Sequence, residues 1–364
     1  MVRLLPILAA LAAVTTPAQA ARTVPEGFYG LTYTGSIADA PSETQARTWG
    51  LMARNGAESV RTPFPWARAQ ARKGAPFDFS TIDPHVRNAV EHGLPLLPVI
   101  TEIPRWARAR EDDWWPRRPR TLAAFATALV RRYGSGGSFW VENPAVPERP
   151  VRYWQILNEP GRSEHYAPLL RAAHRAIKDA DSQAKVVLAG LTGTEGGAPW
   201  DVLRYQYRHG RIRRWFDVAA LHIYTGKPAN VVEGAKLFRA EMRRHGDGRK
   251  PLWITEFGIT ASKGRTDAPR SQRTLRTTDA GMARFVTDAY RLLAENRRRR
   301  DLRVGRAYWH TWASSYATGD GIFEFAGLNE FADGELTARP ALSAYRDSAR
   351  RHEGCRKTTT ADCR

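Results

Sequence analysis

Cysteine is almost missing from this 364-residue chain: there are two, Cys355 and Cys363, both among the last ten residues. Two thiols without a third or fourth ligand nearby do not build a zinc site. In an exported protein the pair is expected to close a small disulfide loop that staples residues 355–364. No His-x-x-x-His pair stands in for the absent cysteines, so no metal site is expected. Phosphate loops are missing too: the glycine-rich "GSGGS" at 134–138 has no Lys-Ser/Thr behind it. Nor does any serine sit in a Gly-x-Ser-x-Gly elbow, which removes the usual serine-hydrolase signature. No cofactor is expected.

Lysine is scarce, with 8 against 48 arginines, and acidic residues are outnumbered 37 to 56, for a formal charge of +19. So lopsided a choice between the two cations has the look of a compositional bias. A positive surface attracts anionic polymers, acidic glycans among them. Nucleic acid is a poor partner, because the chain has no zinc finger, RNP-type strand or basic-aromatic single-strand platform. The run Arg297 to Arg300 follows a helical pattern, where a helix C-terminus welcomes positive charge.

Long apolar runs are absent. The longest near the start, Leu4–Val14, falls far short of the roughly 20 residues that cross a bilayer. It follows Arg3 and precedes the small-x-small triplet Ala18-Gln19-Ala20. That order is a secretory leader over residues 1–20, so a secreted protein with no membrane span after cleavage is expected. Residues 21–354 then form one domain, expected to act as a monomer.

What is abundant is alternation. Short apolar strands at 28–33, 59–64, 94–100, 151–159, 185–191, 218–224, 251–258 and 305–312 are each followed by an amphipathic helix. Strands apolar on both faces belong to a sheet covered by helices. Gly93, Gly134, Gly210 and Gly246 close helices just before the next strand, as left-handed caps would. Eight such units predict an α/β fold, a (β/α)8 barrel; an open doubly wound sheet usually has fewer units and a glycine-rich first turn. In a barrel the C-terminal strand ends carry the site. Tryptophan gathers there, at Trp66, Trp106, Trp114 and Trp115.

Two strands end on a glutamate: Glu159 in "YWQILNEPG" and Glu256 in "LWITEFG". No local helix links residues so far apart, but closing the barrel sets both at one mouth. Paired carboxyls over an aromatic-lined cleft are what glycosidic bond cleavage uses, one as proton donor and the other as nucleophile or base.

With these motifs the chain resembles the clan A retaining glycoside hydrolases, nearest to families thirty-nine and five, over nearly its whole length. "NEP" matches the fourth strand and "TEFG" the seventh. "SVRTPFPW" resembles the second strand, "EIPRWA" the third-strand exit, "LHIY" the sixth and "YWHTW" the eighth; "DGELTARPALSAYRD" resembles the lead-in to the last helix. The resemblance implies Glu159 as acid/base, Glu256 as nucleophile, and Asn158 on the sugar 2-hydroxyl. It implies Arg61 and Tyr224 as hydrogen-bonding partners of Glu256, with His222 shaping the site. Trp309 would be the platform under the cleaved sugar. Trp106 and Trp312 serve either sugar stacking or packing.

The expected activity is double-displacement hydrolysis of a β-linked oligo- or polysaccharide, acidic if the surface charge is a guide. A non-catalytic glycan-binding barrel and a transglycosylase remain the alternatives. Retaining geometry wants the carboxyls about 5–5.5 Å apart.

Overall fold

A computed structural model describes residues 22–108, 110, 114–193, 197–299, 301–314 and 321–353. The leader-like segment 1–20, Ser315 and Tyr316 of the last rim loop, and both cysteines lie outside the described residues.

The elements run β1 (Tyr29–Thr32), α1 (Ser42–Arg54), β2 (Ser59–Pro65), α2 (Trp66–Ala69), α3 (Asp83–Glu91), β3 (Leu96–Thr101) and α4 (Pro119–Tyr133). Then come α5 (Ser138–Glu142), β4 (Tyr153–Ile156), α6 (Tyr166–Ala180), β5 (Lys185–Val187), α7 (Pro199–Gly210), β6 (Ala219–Tyr224) and α8 (Pro228–Arg244). The chain continues with β7 (Leu252–Gly258), α9 (Asp279–Asn296), β8 (Val304–Trp309), β9 (Ala313–Ser314), β10 (Asn329–Ala332), β11 (Glu335–Ala338) and α10 (Pro340–Glu353). The first eight strands pair in parallel in the order β5-β4-β3-β2-β1-β8-β7-β6. Bridges from Val187 to Val218 and from Leu191 to Leu221 close the gap between β5 and β6. The eight-unit barrel read from the alternation is the fold.

The strands form because each offers apolar side chains to both layers. β7 is buried at every position, as a strand between a filled interior and a helical coat must be. The helices pack outside through one face, for example Phe285, Val286, Ala289 and Tyr290 of α9. The last helix locks the first strand: the Tyr29 hydroxyl donates to the Ser348 carbonyl at 3.0 Å and pairs with Nδ1 of His352 at 2.5 Å.

The N-terminal end of the barrel is plugged. The Arg306 guanidinium lies 4.3 Å over Trp253 and 5.2 Å over Tyr153, and donates to the Tyr308 hydroxyl at 3.2 Å. Such cation–π stacking fills the interior with aromatic rings while keeping the charge satisfied. The open end is therefore the C-terminal one.

Two of the four glycine caps hold. Gly93 and Gly246 take positive φ, at 65° and 79°. Gly134 does not, and its missing side chain serves close approach instead, since a Cβ there would meet the Val130 carbonyl oxygen at 2.5 Å. Gly210 stays helical; a Cβ would meet that of Ala167 at 2.6 Å, so it lets α7 press on α6, and Arg211 takes the left-handed turn at φ 49°. The alternation did not foresee α5 or the small sheet β11-β10-β9.

Candidate active site

Barrel strands alternate inward and outward, and that parity places every candidate. On β8, Arg306 and Tyr308 face in, and the same parity carries His310 into the mouth. Trp309 therefore faces out. It is fully buried, edge-on to Phe257 and Phe285 at 5.5 and 6.1 Å, with Nε1 donating to the Ala326 carbonyl. The expected sugar platform is a core residue. Trp312 is likewise fully buried and is core rather than cleft. Trp106 packs edge-on against Trp66 at 5.6 Å, and its Nε1 donates to the Gln70 carbonyl, so packing is its observed role. Of the loop pair, Trp115 folds onto the core and Trp114 stands 80% exposed.

On β7 strict alternation would fail, because Trp253 faces in and Glu256 is three residues later. A bulge resolves this. Leu221 pairs with Ile254 but His222 pairs with Glu256, and on the other side Ile254 pairs with Ala307 but Phe257 with Trp309. Thr255 is the extra residue. It lets Glu256 turn inward, the re-aiming that bulges beside active sites provide.

Arg61 enters from β2 and is 4% exposed. Its guanidinium donates to Oε1 of Glu256 at 2.6 Å, to Oε1 of Gln155 at 2.7 Å and to Oδ1 of Asn158 at 2.6 Å. One planar fork thus ties β2, β4 and β7 together. The other oxygen of Glu256 accepts from the Tyr224 hydroxyl at 2.5 Å. Burial opposes charge on Glu256, yet His222, Arg61, His310 and the Tyr224 hydroxyl outweigh it and hold the carboxyl well below the ordinary range. Burial, and then the nearby charge of Glu256, pushes the Tyr224 hydroxyl far up, so it stays a donor.

Glu159 is placed differently. β4 stops at Ile156, and Leu157 and Glu159 take positive φ, at 65° and 48°. Each costs about 1–3 kcal/mol in a residue with a Cβ, a strain that persists where the surroundings demand it. The twist brings Oε1 of Glu159 to 2.7 Å from Nδ1 of His222, which is itself 3.5 Å from Glu256. Gly190 makes room for that ring, since a Cβ there would meet its Nε2 at 1.7 Å.

Carboxylate oxygens of the two glutamates and a ring nitrogen of His222 lie within 4.8 Å of one another. Three such ligands can in principle approach one cation. The guanidinium of Arg61 already supplies the counter-charge to Glu256, so a cation there would compete with it.

Three neighbours escaped the sequence reading. Gln155 orients Arg61 and also donates to the Leu188 carbonyl at 3.0 Å; a glutamine in a buried strand between Trp154 and Ile156 was the available signal. His310 sits 3.7 Å from Glu256 and edge-on to Tyr224 at 5.9 Å. Burial holds its imidazole below its usual 6.5. Phe323 stands edge-on to Tyr224 at 4.9 Å and came from a loop with no local signature. Beside His222 and Tyr224 opens a cavity of about 490 Å³, walled by Trp200, Ile223, Leu275 and Phe323, with Asn230 and Gln272 among its polar groups.

A family description, "Glycosyl hydrolase catalytic core", matches residues 173–333. That stretch, somewhat less than half of the chain, is similar to such a core. Glu256, His222, Tyr224 and His310 lie inside the matched stretch; Glu159 and Arg61 precede it. The fold agrees with solved clan A glycosidases. A family 39 glycoside hydrolase from Bacteroides cellulosilyticus superposes with a TM-score of 0.64 at 17% identity, over 90% of this chain and 64% of that one, so this chain spans less than two thirds of that protein. A family 1 β-glucosidase from Thermotoga maritima gives 0.62 at 11% identity, over 91% and 99%. A family 5 protein from Bifidobacterium longum, solved with Manβ1-4GlcNAc, gives 0.62 at 14%, over 89% and 78%. No curated protein sequence matches the chain. The fold is therefore the barrel that these glycosidases share.

Proposed function

We propose that this protein is a secreted, retaining glycoside hydrolase that cleaves a β-linked glycan through a covalent intermediate. The observation that carries the proposal is the convergence of Glu159 and Glu256 at the barrel mouth, where one carboxylate oxygen of each lies within 4.8 Å of the other and both approach the His222 ring. Inverting enzymes keep about 6.5–9.5 Å between carboxyls to seat a water, whereas retaining ones bring them to about 5–5.5 Å.

Glu256 is the nucleophile. Its carboxylate is charged and immobile, held by Arg61 and Tyr224. It attacks the anomeric carbon as the bond to the leaving oxygen breaks, and Glu159 gives that oxygen its proton. In the second half, Glu159 takes a proton from water, the water oxygen bonds to the anomeric carbon, and Glu256 is released. His222 aims Glu159. Asn158, pinned through its oxygen to Arg61, turns its amide nitrogen to a sugar hydroxyl.

Among the described residues, the cavity beside the pair has one carboxylate in its wall, Glu233, and neither lysine nor arginine. Charge complementarity there favours a neutral sugar over an acidic one. Secretion rests on the leader-like residues 1–20.

The test is a panel of aryl β-glycosides of neutral and acidic sugars. The reading requires hydrolysis of at least one by the wild type and its loss in Glu256→Ala. Full activity in that variant overturns it. Product analysis at high acceptor concentration separates hydrolysis from glycosyl transfer.

A further inference from the structure

The cleft wall is short of cations, yet the chain carries a large positive charge. Part of that charge is gathered on one flank of the barrel, away from the glutamates. Between α6 and the end of α7 run two hollows of about 450 and 500 Å³ that share Arg171, Arg211 and Trp215. Arg211 is thrown outward by its left-handed backbone at the end of α7. Arg213 and Arg214 line the second hollow, which among the described residues has no carboxylate in its wall; the first has one, Glu164. Trp215 forms the waist, half-buried, with the Arg175 guanidinium 5.1 Å over its ring and His174 edge-on at 5.6 Å.

Positive charge on this flank is not balanced. Arg132, Arg204 and Arg291, which do not line these hollows, each hold two carboxylates. Arg213 is tied to Asp247 at 3.6 Å. Among the described residues, Arg171, Arg175, Arg211 and Arg214 have no carboxylate within ion-pair distance. Cations held this close without counter-charge repel one another, and an anionic ligand relieves that repulsion. The groove begins at Ser163 and Glu164, in the loop that also carries Glu159.

We propose that this Arg–Trp–Arg groove is a second, non-catalytic site for a carboxylated polysaccharide. Guanidinium groups recognise carboxylates through paired hydrogen bonds, and the indole edge offers an apolar surface to a sugar ring. The choice of a glycan rests on the proposed function. Tethering a polymer that carries both carboxylated and neutral sugars on the flank would raise the local concentration of its neutral sugars at the mouth.

The test is binding of polygalacturonate to the whole protein, measured without turnover. The wild type should bind it, lose it as salt screens the charges, and ignore a neutral glucomannan at the flank. Arg171→Glu with Arg211→Glu should weaken binding roughly tenfold or more, with unchanged melting temperature and unchanged aryl-glycoside hydrolysis. Trp215→Phe should retain binding and Trp215→Ala should weaken it. Equal binding by the double variant overturns the proposal. So does tighter capture of duplex DNA or phosphatidylglycerol vesicles through the same arginines. Because binding is read apart from hydrolysis, an inactive cleft would leave this result standing on its own.

Discussion

The ends of β4 and β7 present the same side chain in opposite ways. Glu256 sits in a regular strand re-aimed by one bulge, with its side chain 10% exposed and its two oxygens held by Arg61 and Tyr224. Glu159 sits on backbone turned through positive φ, with its side chain 35% exposed and His222 as its observed partner. A nucleophile must be charged and motionless, while a proton shuttle must reach both leaving group and water. The contrast in burial and tethering is the division of labour the proposed mechanism needs, built into two strand ends before any substrate arrives.

The comparison is broken most severely by removing each carboxyl in turn. Glu256→Ala should cost roughly 10⁴-fold or more in kcat on an aryl glycoside, and azide should restore turnover with inverted glycosyl azide as product. Glu159→Gln should cost about 10²–10⁴-fold on substrates with poor leaving groups and far less on activated aryl glycosides. If both variants respond alike to leaving-group quality, the two ends do not differ as argued.

Arg61→Ala strikes the buried side alone. It leaves Glu256 buried without its ion pair, which should cost about 3–5 kcal/mol of stability in urea unfolding. The sign with pH follows from the lowered carboxyl. Glu256 contributes stability above the ordinary carboxylate range and loses it as pH falls through its depressed folded value, so the variant should lose most stability near neutral pH and least in acid. Tyr224→Phe removes one donor and should move the acid limb of kcat/KM to higher pH. An unmoved limb would mean that the hydroxyl does not hold the charge.

Gly190→Ala is the finest probe, because it reaches both glutamates through a single ring. The added Cβ collides with His222, which aims Glu159. Activity on poor leaving groups should fall about tenfold, and the acid limb attributed to Glu256 should move to higher pH, because His222 also helps to hold that charge.

The barrel was legible because each of its eight strands and helices follows its own period, and period needs no tertiary information. Both glutamates were legible as polar ends to apolar strands. The parity of β8 was also present in the sequence: Arg306, Tyr308 and His310 fall on one face, which sets Trp309 on the other. The motif resemblance chose Trp309 as platform and missed His310, while the period would have chosen correctly. The bulge at Thr255 was not legible, since it arises from pairing with β6 and β8. Gln155 could have been found by asking what a buried glutamine donates to. Phe323 could not, because its approach to Tyr224 depends on how a long loop folds back.

The most direct test of the paired glutamates is the configuration of the first product, followed by proton NMR during hydrolysis of an aryl β-glycoside. The account predicts that the β-anomer appears first and mutarotates afterwards. An α-anomer formed first would contradict it.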